Sequence, residues 1–111
     1  MEDEALFHQA MLDIYETAKR LEPPYVATRF FRMVNERGGK AVADHLLATN
    51  SPSEGFTQLF LRGRENLKIS VEYVVLQNQW RHLFTAEQLD VARTRLIAIG
   101  CDLPQDDLAS D

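Results

Sequence analysis

Phe7, Met11, Ile14, Ala18 and Leu21 recur at alternating spacings of four and three residues, and Pro23-Pro24 follows at once. Side chains at those intervals return to one face of a 3.6-residue helix, so the spacing predicts an amphipathic helix over residues 3 to 21. Ala10 and Tyr15 widen the stripe, and an acidic start with a Lys19-Arg20 end suits the helix dipole. The two prolines stop it, since neither ring can donate the next backbone hydrogen bond. A helix that is apolar on one side only must be covered by others.

The rest of the chain supplies them. A second helix is expected from about Tyr25 to Glu36, burying Phe30, Met33 and Val34 beside Phe31 or Val26, and ending at Arg37-Gly38-Gly39. "GKAVADHLLAT" reads as a short helix on Val42, Leu46 and Leu47. In "SPSEGFTQLFLRGR", Ser51 is placed to cap a helix that starts at Pro52, with Glu54 completing a capping box and Gly63 closing the far end. Gly55 falls in its first turn, where glycine costs roughly 1 kcal/mol relative to alanine unless a close contact requires it. "NLKISVEYVVLQ" is ambiguous. Ile69, Val71, Tyr73 and Val75 alternate like a strand, whereas a helix would bury Leu67, Val71, Val74 and Val75. A lone strand would have no partner, so helix is chosen. Thr85 and Gln88 form a further capping box, with Phe84 and Leu89 as its hydrophobic staple. Leu89, Ala92, Leu96 and Ile99 make the buried stripe that Gly100 ends. The expected fold is all-α: a compact single-domain bundle of five or six short helices over residues 1–100, followed by an acidic, loose tail over 101–111. Its core is expected to take in Phe7, Met11, Ile14, Phe30, Val34, Leu46 and Phe56, then Leu59, Val71, Val75, Leu83, Leu89, Leu96 and Ile99.

Length and composition set the limits. The 111 residues, 45% hydrophobic and 26% charged, suit one soluble globular core. No apolar run would span a membrane, and the acidic start lacks the basic region and apolar run of a signal peptide. The single cysteine, Cys101, allows no intrachain disulfide, which makes a cytoplasmic setting the expectation. The net charge of −5 is unevenly spread. Residues 29–68 carry seven basic and four acidic groups, while both flanks are acidic. A basic middle is compatible with an anionic partner, though ordinary solvated helix faces account for it as well.

Catalytic or cofactor chemistry finds little support. His8, His45 and His82 have no ligand-spaced companions, and Cys101 has no cationic cluster to lower its pKa. Glu54 and Glu87 serve helix starts. Glu72, an acid inside an apolar run, either faces solvent or pairs with a base, and it lacks the companion that a general acid needs. "ERGGK" shares only Gly-Gly-Lys with a phosphate loop. The expectation is a protein that is not an enzyme and holds no cofactor or metal.

Binding is the remaining class. "VADHLLATNSPSEGFTQLF" resembles a helix–turn–helix, with Thr57, Gln58 and Arg62 offered to bases and Arg64 and Lys68 to phosphates. Arg29, Arg32, Arg37 and Lys40 would extend that surface. The long turn without glycine, and a pI of about 5.1, weigh against it. Trp80 either plugs the core beneath "QNQWRHLF" or anchors a protein partner. The leading expectation is therefore a binding or regulatory module acting through protein contacts, such as an adaptor, an inhibitor or an accessory of a defence or mobile-element system. A nucleic-acid binder is the alternative.

The series "YVATRFFRMV", "GGKAVADHLLA", "PSEGFTQLF", "SVE" and "LFTAEQLDVARTRL", in that order, resembles a group of small stand-alone bacterial helical proteins. The resemblance covers most of residues 7 to 100, and the Gly-Gly helix followed by Pro-Ser-x-Gly-Phe-Thr is its most specific part. Members of the group tend to carry tryptophan at the position of Phe60 and a shorter link between Gly63 and Val71. The resemblance implies a compact bacterial unit and carries no activity with it.

Overall fold

The apolar stripe of the first helix does bury: Phe7 and Met11 are fully enclosed, and Ile14 and Ala18 nearly so. The computed structural model describes residues 2–104. In it, α1 (Glu2–Ala18) packs against α2 (Thr28–Arg37) and α3 (Gly39–Ala48). α4 (Glu54–Leu61) runs into a 3-10 turn, Arg64–Ile69, which leads to α5 (Val71–Val75). A second 3-10 turn, Arg81–Leu83, precedes α6 (Ala86–Ala98), which closes on α3 and α5. The described residues contain no strand, so the bundle is all-α as expected. No helix among them is long and apolar enough to cross a membrane.

Most helix ends follow their local chemistry. At α6 the Thr85 hydroxyl accepts from the Gln88 N–H at 3.1 Å, and the Gln88 side chain accepts from the Thr85 N–H at 2.9 Å. The staple residues Phe84 and Leu89 are both buried. Gly38 ends α2 at φ 91°, a backbone state that glycine adopts without steric cost, and its N–H closes on the Val34 carbonyl.

Four boundaries differ from expectation, the first being that α2 starts at Thr28 rather than at about Tyr25. α1 stops at Ala18 rather than residue 21, because Tyr25 reaches back from beyond the prolines and donates its N–H to the Ala18 carbonyl at 2.9 Å. α4 is capped by Ser53, whose hydroxyl accepts from the Phe56 N–H at 3.3 Å, and not by Ser51. Ser51 is engaged elsewhere: its carbonyl accepts from the Thr49 hydroxyl at 2.9 Å, holding residues 49–51 in a turn. The ambiguous stretch is helical but broken at Ser70, which accepts from the Tyr73 N–H and donates to the Leu67 carbonyl. Leu67, Val71, Val74 and Val75 are all buried, as the helical reading required. Phe30, Leu46, Leu83 and Ile99 pack against the core but are only partly covered. Cys101 and Pro104 are buried, so the chain is still packed after α6; residues 105–111 of the expected tail lie outside the described residues.

α1 and α3 meet at Gly39. A methyl group there would lie 2.8 Å from the His8 Cα and 3.0 Å from the Met11 Cγ. The same contact brings the His8 Nδ1 within 3.0 Å of the Gly39 N–H, which it accepts, satisfying one of the open donors at the start of α3. Because backbone blocks the added carbon, Gly39→Ala is expected to cost about 1–3 kcal/mol, the usual penalty of overpacking, read from urea unfolding curves.

Candidate functional site

The walls of one recess among the described residues come from the ends of helices rather than from their middles. The last turn of α1, the 25–28 link, the first half of α2, the end of α3 and the starts of α4 and α5 enclose a groove of about 550 Å³. That volume lies within the roughly 300–1,000 Å³ range of ligand pockets. Ile14, Phe30, Met33, Leu46, Phe56 and Val71 give it an apolar floor. Tyr25, Arg29, His45 and Glu54 stand around it, and Val26 is 54% exposed at its mouth. Burial raises the Tyr25 hydroxyl above its ordinary pKa, with Glu54 adding to the rise and Arg62 and Arg29 opposing it, so the phenol stays protonated. Gly55 forms part of the same wall. A methyl group there would make only ordinary contacts, 3.6 Å to the Ser53 Oγ and 3.9 Å to the Tyr25 hydroxyl. Packing within the chain therefore does not demand this glycine.

Glu72 lies at the inner edge of the groove and is 2% exposed. Its carboxylate accepts from the Arg95 Nη1 at 3.0 Å, so the base that the sequence asked for is Arg95, from α6. The same guanidinium donates to the Leu46 carbonyl at 3.0 Å and to the Thr49 carbonyl at 2.7 Å. One buried arginine thus caps the end of α3, fixes the turn into α4 and neutralises α5. Its signal in the sequence was faint: Arg95 falls one residue before Leu96 and three after Ala92, within the arc that α6 buries. Burial still pushes the Glu72 carboxyl above its ordinary pKa, against the opposing pull of its own backbone N–H and of Arg95.

The basic residues singled out in the sequence are scattered by the fold. Arg62 is tied inward. Its guanidinium donates to the Pro23 and Pro24 carbonyls at 2.7 and 3.0 Å and to the Gln58 side chain at 2.8 Å, and it lies over the Tyr25 ring. Arg62 and Gln58 therefore clamp the proline link onto α4, while Thr57 is exposed beside them. Lys40 pairs with Asp44 at 2.8 Å and sits over the Phe84 ring, and Asp44 also accepts from Gln88 of α6. Lys68 pairs with Glu65. Arg64 is exposed beside Gly100. Arg29, Arg32 and Arg37 lie exposed along α2, and of the whole set only Arg29 borders the groove. Trp80 is half-buried, edge-on to Phe7 at 5.6 Å, so it packs onto the core. The Cys101 thiol is buried, and that burial, with Asp102 beside it, raises its pKa. No group of three His, Cys, Asp or Glu side chains among the described residues gathers to hold a metal ion.

Comparison with protein-family models, with curated proteins and with solved structures gives no match.

Three stability measurements probe the site. Arg95→Met leaves a buried carboxylate and two carbonyls without their donor, and a loss of about 3–5 kcal/mol is expected from urea titration. Because the folded state holds the Glu72 proton more tightly than the unfolded chain, this group stabilises most below about pH 4 and loses that contribution as pH rises through its folded value. The stability of wild type relative to Glu72→Gln is accordingly expected to fall between pH 4 and neutrality. Gly55→Ala, with room for its methyl group, is expected to raise stability by about 0.5–1 kcal/mol in thermal unfolding.

Proposed function

We propose that this chain is a non-enzymatic binding module whose work is to hold another protein against the groove between α2, α3 and α4. The observation that carries the reading is the groove itself: an apolar floor of about 550 Å³ with a few polar groups set around it. Grooves between helices are a recurrent seat for partner segments. The lone, buried thiol supports a cytoplasmic setting as part of the proposal. The resemblance to small stand-alone bacterial helical proteins supports a compact unit, and the adaptor, inhibitor or accessory role rests on the groove alone.

A nucleic-acid partner is the second reading. It is supported by Arg29, Arg32 and Arg37, which make no ion pair with a described residue. Arg62, which α4 would need if it served as a reading helix, is engaged with the proline link instead.

Salt separates the two. Pull-down from a bacterial lysate, with and without nuclease, is expected to retain the same protein partner after nuclease treatment and to change little between about 50 and 200 mM salt. Phosphate contacts would instead make affinity fall by orders of magnitude over that range. Loss of the partner on nuclease treatment would replace the first reading with the second.

A further inference from the structure

We propose that the joint between α1 and α3 is a proton-sensitive switch: the neutral His8 ring closes it, and a proton on that ring opens the first turn of α3. The device goes beyond the protein-binding reading and stands whether or not the groove holds a partner.

The Gly39 N–H donates to the His8 Nδ1 at 3.0 Å. A ring nitrogen that accepts a hydrogen bond carries no proton, so this bond requires the tautomer with its hydrogen on Nε2. The protonated ring has a hydrogen on both nitrogens and no acceptor left, so protonation and the Gly39 contact exclude each other. His82 is used differently. Its Nε2 lies 2.8 Å from the Asp3 carboxylate, a pair that a proton strengthens. The two histidines therefore answer acid with opposite sign.

Nothing at the joint replaces the acceptor once it is lost. Gly38, at φ 91°, turns the chain so that its own N–H closes on the Val34 carbonyl while the next one, on Gly39, points to α1. Gly39 is buried, and a buried donor without a partner is costly. Backbone already meets backbone there, since a methyl group on Gly39 would lie 2.8 Å from the His8 Cα. A cationic ring against the start of α3 also opposes the positive end of that helix's dipole. The elements around the joint bring few compensating charges. Lys40, beside Gly39, is paired with Asp44, while Glu36 and Arg37 offset each other at the end of α2. The 3-10 turn Arg64–Ile69, which also packs on α1, carries the Lys68–Glu65 pair and Arg64 beside Gly100. On α1 itself Asp3 is taken by His82, which leaves Glu4, exposed and one turn before His8. Glu4 favours the proton, but it cannot accept the Gly39 N–H in the ring's place.

The test is nuclear magnetic resonance on the isotopically labelled full chain from about pH 7.5 to about pH 5, a span that crosses the ordinary histidine range. At the upper end, long-range proton–nitrogen spectra are expected to show His8 with its hydrogen on Nε2 and a bare Nδ1. On acidification the exchange protection of the Gly39 amide, corrected for the intrinsic rate at each pH, is expected to fall. The loss reaches at most about tenfold per pH unit, because one proton is linked to one opening. His8→Asn places an amide oxygen the same number of bonds from the backbone as Nδ1 and has no proton to take up. Its Gly39 amide is expected to stay protected over the whole span. His8→Phe, which removes the acceptor, is expected to leave Gly39 weakly protected at every pH, and His82→Gln to leave the wild-type response in place. The proposal is overturned if the neutral His8 ring carries its hydrogen on Nδ1 or if wild-type Gly39 protection is flat across the span. It is also overturned if His8→Asn shows the wild-type loss. Circular dichroism checks that each variant is folded; should either His8 variant fail to fold, the wild-type tautomer and the Gly39 protection curve decide by themselves.

Discussion

Arg95 brings a permanent charge into the interior of a small bundle, and much of the arrangement around it exists to satisfy that charge. Its guanidinium meets the Glu72 carboxylate from α5, the Leu46 carbonyl at the end of α3 and the Thr49 carbonyl in the turn that follows. Two stretches far apart in sequence, residues 46–49 and Glu72, are thereby held to one planar group. Desolvating both charges costs several kcal/mol per ion, so the pair does not stabilise the fold as an equal volume of leucine would. What it supplies is geometry. The end of α3 and the start of α4 are fixed relative to α5, and those are the walls of the groove.

The helices themselves are short, several of them only two or three turns, and helices of that length are marginal alone in water. They persist because their apolar faces close on one another and because their ends are individually satisfied. Gly39 lets α1 and α3 approach until backbone nearly touches backbone, and His8 then accepts the Gly39 N–H. Arg62 does the equivalent for the proline link, binding two carbonyls that have no helix to serve. Polar side chains that read as surface contacts in one dimension are, in three, the clamps between elements.

This matters for where function is sought. A basic stretch in a linear sequence suggests a basic surface, but Lys40, Arg62 and Lys68 are each engaged within the chain. Arg29, Arg32 and Arg37 are left along α2, with Arg64 beside Gly100, and of these only Arg29 borders the apolar groove. The shift from a reading helix to a groove follows from that distribution. It also changes the meaning of Gly55, from a weak point in a helix to a gap in a wall.

The sequence alone was enough for what depends on neighbours along the chain. Apolar periodicity marked α1 and α6, the Thr85–Gln88 box marked the start of α6 and Gly38 the end of α2, and Leu67 to Val75 read correctly as helix because an isolated strand has no hydrogen-bond partner. Those are short-range effects, set by side-chain spacing and backbone geometry within a few residues. The tertiary structure decided the rest. Ser53 displaced Ser51 as the cap because Thr49, held by Arg95 from another helix, draws the Ser51 carbonyl into a turn. Glu72 found its base 23 residues away, and the groove assembled from five helices and the link between two of them. Such contacts leave no periodic trace, because a hydrogen bond or a cavity wall depends on distance in space and not on separation along the chain.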